Sequence, residues 1–240
     1  MIDIQKVTKR FDRIVAVDNL NLTIPQGEFF SILGPNGAGK TTTLKLVAGL
    51  LRPSSGKISV NDYDINEHAI QVKKLISFIP DVPFVYEKLS GREFLYFIGE
   101  LYKMNRKQYE AETERLFELF HMKDYGDHLM ESYSHGMKQK VVICSALIHD
   151  PRIILIDEPM VGLDPKSIRL VKDILRERAD HGTTIFMSTH TLNLAEEISD
   201  RIGIIHNGNL VGLGTVDEIK RAAEDTGKFE DVFLKLTAEA

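Results

Sequence analysis

Phe29-Phe30-Ser31-Ile32-Leu33-Gly34-Pro35-Asn36-Gly37-Ala38-Gly39-Lys40-Thr41-Thr42 is the stretch that decides the fold. A mainly apolar run leads into a glycine-rich loop, and a helical pattern continues from Thr42 to Leu50. Strand, glycine loop and helix in that order spell a phosphate-binding loop. Gly34, Gly37 and Gly39 let the backbone curl round a phosphate chain, because no side chain blocks the approach. The loop N–H groups then point inward, and the helix that follows presents its positive end. Lys40 reaches the outer phosphates, and the Thr41 hydroxyl is placed to ligate Mg2+. An ordinary glycine-rich turn is the competing explanation. Both flanks and every fixed position of the motif match, so a bound nucleoside triphosphate is expected.

Working outward, 240 residues allow one large domain, or one domain with an inserted subdomain. Charged residues are 27% and hydrophobic ones 43%, which suits a soluble globular chain rather than a disordered one. A formal charge of −5, from 35 acidic and 30 basic residues, disfavours a life on nucleic acid backbone. Cys144 is the single cysteine, so no internal disulfide framework is possible and a reducing compartment fits. The start, Met1-Ile2-Asp3-Ile4, shows no signal peptide, and no apolar stretch approaches the ~18 residues that span a bilayer. Work at a membrane would require another chain to hold this one there.

Residues 2–8 and 14–24 alternate like strands, with Val15, Val17, Leu20, Leu22 and Ile24 as the apolar set. Phe11 lies between these runs. It either stacks on a nucleotide base, worth ~1–3 kcal/mol by analogy with strand binders, or packs in the core. Aromatics are mostly packing residues, which favours the core at this point. Pro53 to Gly56 turns into a strand over Lys57 to Val60, Asn61 to Asp64 reads as a polar turn, a helix covers Glu67 to Lys74, and a strand over Leu75 to Ile79 ends at Pro80-Asp81.

From Pro83 the pattern becomes helical, with Phe94, Leu95, Phe97, Ile98 and Leu101, then Leu116, Phe117, Leu119 and Phe120, at helical spacing. Residues 83–149 therefore read as an all-helical insertion between 1–82 and 150–240. Glu110, Glu112, Glu114 and Glu118 suit a solvated helix face better than a metal site. Cys144 suits a buried structural thiol. The β/α alternation resumes with the fully apolar Ile153 to Ile156, a helix over Pro165 to Asp180, a strand over Thr183 to Met187, and a helix over Leu192 to Ser199. Asn207-Gly208 marks a hairpin, with His206 beside it solvent-facing, and closing helices are expected over 215–224 and 229–237.

Asp157-Glu158 ends the buried run, and consecutive residues at a strand end point to opposite sides. Asp157 suits a magnesium role, and Glu158 suits a general base acting on water. His190 follows the next strand. In an open parallel sheet, ligands sit beyond the carboxyl ends of the strands, where Gly34, Asp157 and His190 all fall. The remaining histidines show no metal-ligand spacing.

Together these segments resemble the nucleotide-binding subunit of an ATP-binding cassette (ABC) transporter. The phosphate loop Gly34 to Thr42, the signature segment Ser134-His135-Gly136-Met137-Lys138-Gln139, Ile153 to Glu158, Gly162-Leu163-Asp164 and His190 carry the likeness over nearly the full chain. The resemblance implies an α/β fold: a P-loop NTPase core with a mainly parallel sheet, an N-terminal antiparallel β subdomain and an inserted all-helical subdomain. It implies ATP and Mg2+ as ligands and ATP hydrolysis as the activity. Two cassettes, a second copy or a paralogue, would dock head to tail, with Ser134 and Gly136 of one capping the γ-phosphate held by Lys40 of the other. By this likeness Phe11 becomes the base-stacking aromatic, Asp164 bridges the subunits, and His190 senses the γ-phosphate. Asp81 joins the magnesium set, although the family most often has glutamine there. His135 and Met137 replace a glycine and a glutamine of the usual signature. The signature variant and Phe229 to Leu234 are most similar to bacterial exporters whose membrane half is a separate chain. The expected location is cytoplasmic, peripheral on the inner face of the cell membrane, with a transmembrane partner docked near Phe84 and Tyr86. Two alternatives stand beside this: a soluble ABC ATPase acting on nucleic acid or ribosomes, and a catalytically weak regulatory module.

Overall fold

In the computed structural model, which describes residues 1–223 and 227–238, the chain opens with β1 (Ile2–Phe11) and β2 (Ile14–Ile24). It crosses to β3 (Phe29–Leu33) and α1 (Lys40–Val47), then returns through β4 (Ser55–Val60) and β5 (Tyr63–Asp64). After α2 (Ala69–Leu75) and β6 (Ile76–Ile79) it runs through α3 (Gly91–Leu101), α4 (Arg106–Leu119) and α5 (His135–Leu147). Strands and helices then alternate: β7 (Ile153–Asp157), α6 (Pro165–Asp180), β8 (Thr184–Thr189), α7 (Leu192–Ile198) and β9 (Arg201–His206). The described chain closes with β10 (Asn209–Gly214), α8 (Val216–Ala222) and α9 (Phe229–Ala238).

Two sheets result. One is antiparallel in the order β2-β1-β4-β5; the other runs β10-β9-β3-β8-β7-β6, parallel except for β10 at its edge. The strands β3, β7 and β8 are buried at every position, as apolar runs covered on both faces must be. Phe29 packs with the helical segment and the neighbouring Phe30 with the antiparallel sheet, so successive side chains of β3 serve opposite faces.

Local chemistry sets the details. In β2 the in–out alternation slips at Asn19, whose φ of 45° marks an irregularity, so Val17 and Leu20 share the buried face. Ser90 with Glu93 and Asn105 with Gln108 form capping boxes that start α3 and α4. Asn207 and Gly208 take φ of 47° and 79°, the left-handed pair a tight hairpin needs.

Several expectations shift. The residues after Asn61 are not only a turn, since Tyr63–Asp64 adds a short strand to β4. Phe11 is the last residue of β1, not a residue between strands, and at 42% exposure it is not core. α2 begins at Ala69 rather than Glu67. On α3, Phe94 and Leu95 are buried, but Phe97 and Leu101 are exposed. The final residue of the helix expected over 215–224 lies outside the described residues. The acidic face of α4 is solvated and paired: Glu110 with Arg106, Glu112 with Arg115 and Glu114 with Arg92. Cys144 is buried, and burial pushes its thiol far above the usual range, which leaves it inert.

Candidate nucleotide site

The carboxyl ends of β3, β7 and β8 converge on a cleft of about 240 Å³ lined by Ala16, Asn36, Gly37, Gly39, Lys40, Thr41, Thr42, Asp81 and Glu158. Gly39 caps α1 with φ of 110°, no side chain supplies a cap, and no acid stands in the first turn. Ser90, Asn105, Ser134, Asp164 and Thr215, in contrast, cap their helices with side-chain oxygens. The start of α1 thus keeps its N–H groups for an external anion.

The glycines divide differently from the sequence expectation. A Cβ on Gly34 would fall 2.3 Å from the Ile205 carbonyl, and one on Gly39 2.3 Å from the Ala16 carbonyl. These two positions admit neighbouring backbone rather than ligand. Only Gly37, at φ 82°, has open space beside it. Behind the loop stands the β9–β10 hairpin, whose Gly208 N–H donates to the Ala38 carbonyl at 3.0 Å. Pro35, Asn36 and Gly37 are exposed along the loop, and Ala38 is buried beneath them.

Lys40 is nearly buried, and its ammonium donates to the carbonyls of Gly34 at 2.7 Å and Pro35 at 3.0 Å. One of its three N–H donors remains for a phosphate. Burial pulls its pKa below the usual lysine range, partly offset by the charges of Glu158 and Asp157.

Asp157 is fully buried. Its Oδ1 accepts from the Thr41 hydroxyl at 3.1 Å and from the Ser188 hydroxyl. Its Oδ2 is buried with no partner. An unpartnered carboxylate oxygen beside a threonine hydroxyl is the donor set a hard divalent cation takes when phosphates complete its shell. Among the described residues no cluster of three or more His, Cys, Asp or Glu side chains could hold a metal unaided. The site therefore fits Mg2+ shared with a phosphate chain. Asp81 lies just past β6 and lines the same cleft.

Glu158 differs from the expectation in how it is aimed. It does not alternate with Asp157 along a strand, because β7 ends at Asp157 and Glu158 turns left-handed, with φ of 47°. That conformation is costly for a residue with a Cβ. Its N–H donates to the Ser188 carbonyl at 3.1 Å, which holds the turn against β8. Its Oε1 lies 2.8 Å from His190 Nδ1, and its Oε2 accepts from the Thr189 hydroxyl at 3.3 Å.

The structure thus brings the phosphate loop, Asp81 and Glu158 to one cleft, with Asp157 bonded to Thr41 and His190 to Glu158. Ser134, Gly136 and Asp164 are not among the cleft's lining residues. Ser134 is exposed and caps α5 by accepting from the Met137 N–H at 3.3 Å. A Cβ on Gly136 would fall 2.7 Å from the Gly162 carbonyl, so this glycine lets α5 sit against the loop leading to α6. A Cβ on Gly162 would fall 2.2 Å from the His135 ring, so that glycine makes room for the imidazole. Asp164 caps α6 by accepting from the Ser167 N–H at 3.0 Å and the Ser167 hydroxyl at 2.6 Å. Those bonds hold its carboxyl down at about 2. Phe11 is also outside the cleft lining, with the Lys9 ammonium 4.8 Å from its ring centre.

The profile of the ABC transporter family matches residues 17–161. The chain belongs to the ABC transporter family. It is 34% identical to the daunorubicin resistance ATP-binding protein DrrA3 of Streptomyces coeruleorubidus, over 98% of this chain and 73% of that one. It is 36% identical to the ABC transporter ATP-binding protein NatA of Bacillus subtilis, over 91% of each. A solved ATP-binding subunit of an ABC transporter superposes with a TM-score of 0.94 at 30% identity, covering 98% of this chain and 99% of the other. A dimeric ATP-binding cassette in a post-hydrolysis state, bound to ADP and Pi, gives a TM-score of 0.82 at 26% identity, covering 90% and 98%. The fold is that of an ABC ATPase cassette, a P-loop core whose mainly parallel sheet carries the antiparallel β unit and the helical segment.

Sequence reasoning passed over several residues of this site. Ala16 and the Ile205 carbonyl come from strands distant in sequence, and only the folded sheets bring them to the loop. Ser188 and Thr189 stand beside His190 in the sequence, but a hydroxyl gives no spacing signal. Gln139 is fully buried, its amide donating to the Pro159 carbonyl at 3.3 Å beneath the Glu158 turn. His206 is not simply solvent-facing, since its Nδ1 is buried without a partner.

Proposed function

We propose that this chain is the ATP-hydrolysing subunit of an exporter, driving transport through a separate membrane-spanning partner. The observation that carries the reading is one connected set of side chains, Thr41–Asp157 and Glu158–His190, at adjacent strand ends beside an uncapped phosphate loop. In this reading the N–H groups of Gly34 to Thr42 and the Lys40 ammonium bind the phosphates. Thr41 and the free Oδ2 of Asp157 hold Mg2+, with Asp81 beside them. Mg2+ held there would supply charge neutralisation to the phosphates. Glu158 accepts the proton of the attacking water, and His190 turns to the γ-phosphate and orients that water. Phe11, exposed at the end of β1, stacks on the base.

Ser134 and Gly136 of a second copy, or of a paralogous cassette, close over the phosphates, and Asp164 lies at that junction. The exposure of Ser134 outside its own cleft supports this arrangement, as does the dimeric relative bound to ADP and Pi. Hydrolysis would remove the shared phosphate and let the pair part. Residues 1–82 and 150–240 form the catalytic core and 83–149 a helical subdomain. The name of DrrA3, a resistance protein, supports export. The chain would lie in the cytoplasm, peripheral on the inner face of the cell membrane. Among the described residues no helix is long and apolar enough to cross a bilayer.

A larger hollow lies elsewhere, a groove of about 800 Å³ lined by Leu50, Ile70, Ile76, Phe78 and Leu101, with Lys73, Lys74 and Lys103 among its walls. Phe84 and Tyr86 do not line it, but Tyr86 packs edge-on to Phe97, one helical turn from Leu101. This surface suits an apolar cytoplasmic segment of the membrane partner that carries acidic residues for the lysines. Purified protein with Mg-ATP tests the catalytic assignment. Glu158→Gln is expected to remove turnover on the order of a hundredfold or more and to trap an ATP-bound dimer visible by size. A wild-type turnover no greater than that of the variant would favour the inert regulatory alternative.

A further inference from the structure

We infer that Thr189 is a positioning residue that decides which oxygen of Glu158 works on water. The inference rests on the assignment of Glu158 as general base. Thr189 is the last residue of β8, which pairs with β3 on one side and β7 on the other. Its side chain is buried and β-branched, so its hydroxyl has almost no freedom of position.

The direction of its hydrogen bond is settled by its neighbours. The Thr191 N–H donates to Thr189 Oγ1 at 3.0 Å, so the hydroxyl is already an acceptor there. Its single proton is then free to go to Glu158 Oε2, at 3.3 Å. Glu158 needs such a hold. It follows the end of β7 in a left-handed turn, and its side chain has several rotatable bonds.

The two contacts on Glu158 differ in kind. His190 meets Oε1 from a side chain that is 59% exposed and free to swing. Thr189 meets Oε2 from within the sheet and cannot leave. When His190 turns to a γ-phosphate, Oε1 loses its partner and becomes able to accept from water, while Oε2 stays bound. Thr189 thereby holds the carboxylate plane in place during the exchange and assigns the basic role to Oε1.

A double-mutant cycle tests this. Thr189→Val is expected to lower kcat about tenfold, the cost of one hydrogen bond to a charged group. The KM for ATP should stay within about twofold, since no phosphate contact is lost. Thr189→Ser should recover most of the rate. In a Glu158→Gln background, Thr189→Val should add no further loss, because the hydroxyl acts only through Glu158. Thr189→Ala and thermal denaturation control for folding. A Thr189→Val kcat within about twofold of wild type, or an equal loss in both backgrounds, would overturn the inference. Full turnover by Glu158→Gln alone would overturn the base assignment, and this inference with it.

Discussion

Two helix starts of this chain, those of α1 and α5, are built in opposite ways. α1 begins at Gly39 with no side-chain cap, and its first residues line the cleft. α5 begins at Ser134, already capped by its own hydroxyl, and none of its residues lines the cleft. In the proposed function the first is the phosphate cradle, and the second caps a phosphate held by another copy. Burial follows the same division: Lys40 is nearly enclosed, whereas Ser134 is exposed. In the proposed function a second copy, docked head to tail, brings the start of α5 to the cradle of the first.

The largest expected effect breaks the first half. Lys40→Ala should lower ATP affinity by about a hundredfold or more, read by titration with a fluorescent ATP analogue, because a nearly buried ammonium is lost from the phosphate site. Ser134→Arg should leave that affinity within about threefold and yet cut steady-state turnover by tens of fold, since the intrusion falls only on the trans contact. A Ser134→Arg protein that fails to bind ATP would mean the two starts act within one chain.

A smaller effect concerns coupling. Replacing Phe84 and Tyr86 by Ala should uncouple transport in membranes while ATPase in solution stays within about twofold. Both rings are exposed and neither touches the cleft, so unchanged transport would count against this surface as the partner's seat.

The last effect concerns how α5, which Ser134 caps, is tied to the parallel sheet. His149, just after α5, stacks on Tyr102 at 3.5 Å between ring centres and lies 3.1 Å from the Ser77 hydroxyl of β6. Burial lowers its pKa from 6.5 to about 4. The folded state then binds fewer protons than the unfolded one. Stability from this group is full above pH 6.5 and is lost as pH falls from there toward 4, on the order of 2 kcal/mol. Denaturant titrations across that window should show the slope, and His149→Gln should flatten it.

Much of this was legible beforehand, for identifiable reasons. The buried runs Phe29 to Leu33 and Ile153 to Asp157 announced themselves because strands covered on both faces are mostly apolar, with Ser31 and Asp157 the polar exceptions. Pro165 marked the start of α6 because proline suits the first turn, and the structure adds Asp164 as its cap. What stayed hidden depends on contacts between distant segments. The need for glycine at positions 34 and 39 comes from carbonyls of Ile205 and Ala16, which no local pattern reveals. The left-handed turn at Glu158 overrides strand alternation because the Ser188 carbonyl captures its N–H. Phe97 and Leu101 keep helical periodicity but face outward, since periodicity marks an apolar stripe without saying what covers it.

The composite site admits one direct test. Lys40→Ala and Ser134→Arg proteins are each prepared as inactive pools, then mixed with Mg-ATP, and phosphate release is measured. In a mixed pair one site combines both lesions, and the other combines an intact cradle with an intact serine. Mixing is expected to restore turnover to roughly a quarter of wild type, because half the pairs carry one good site of two. A mixture as inactive as either pool alone would contradict it.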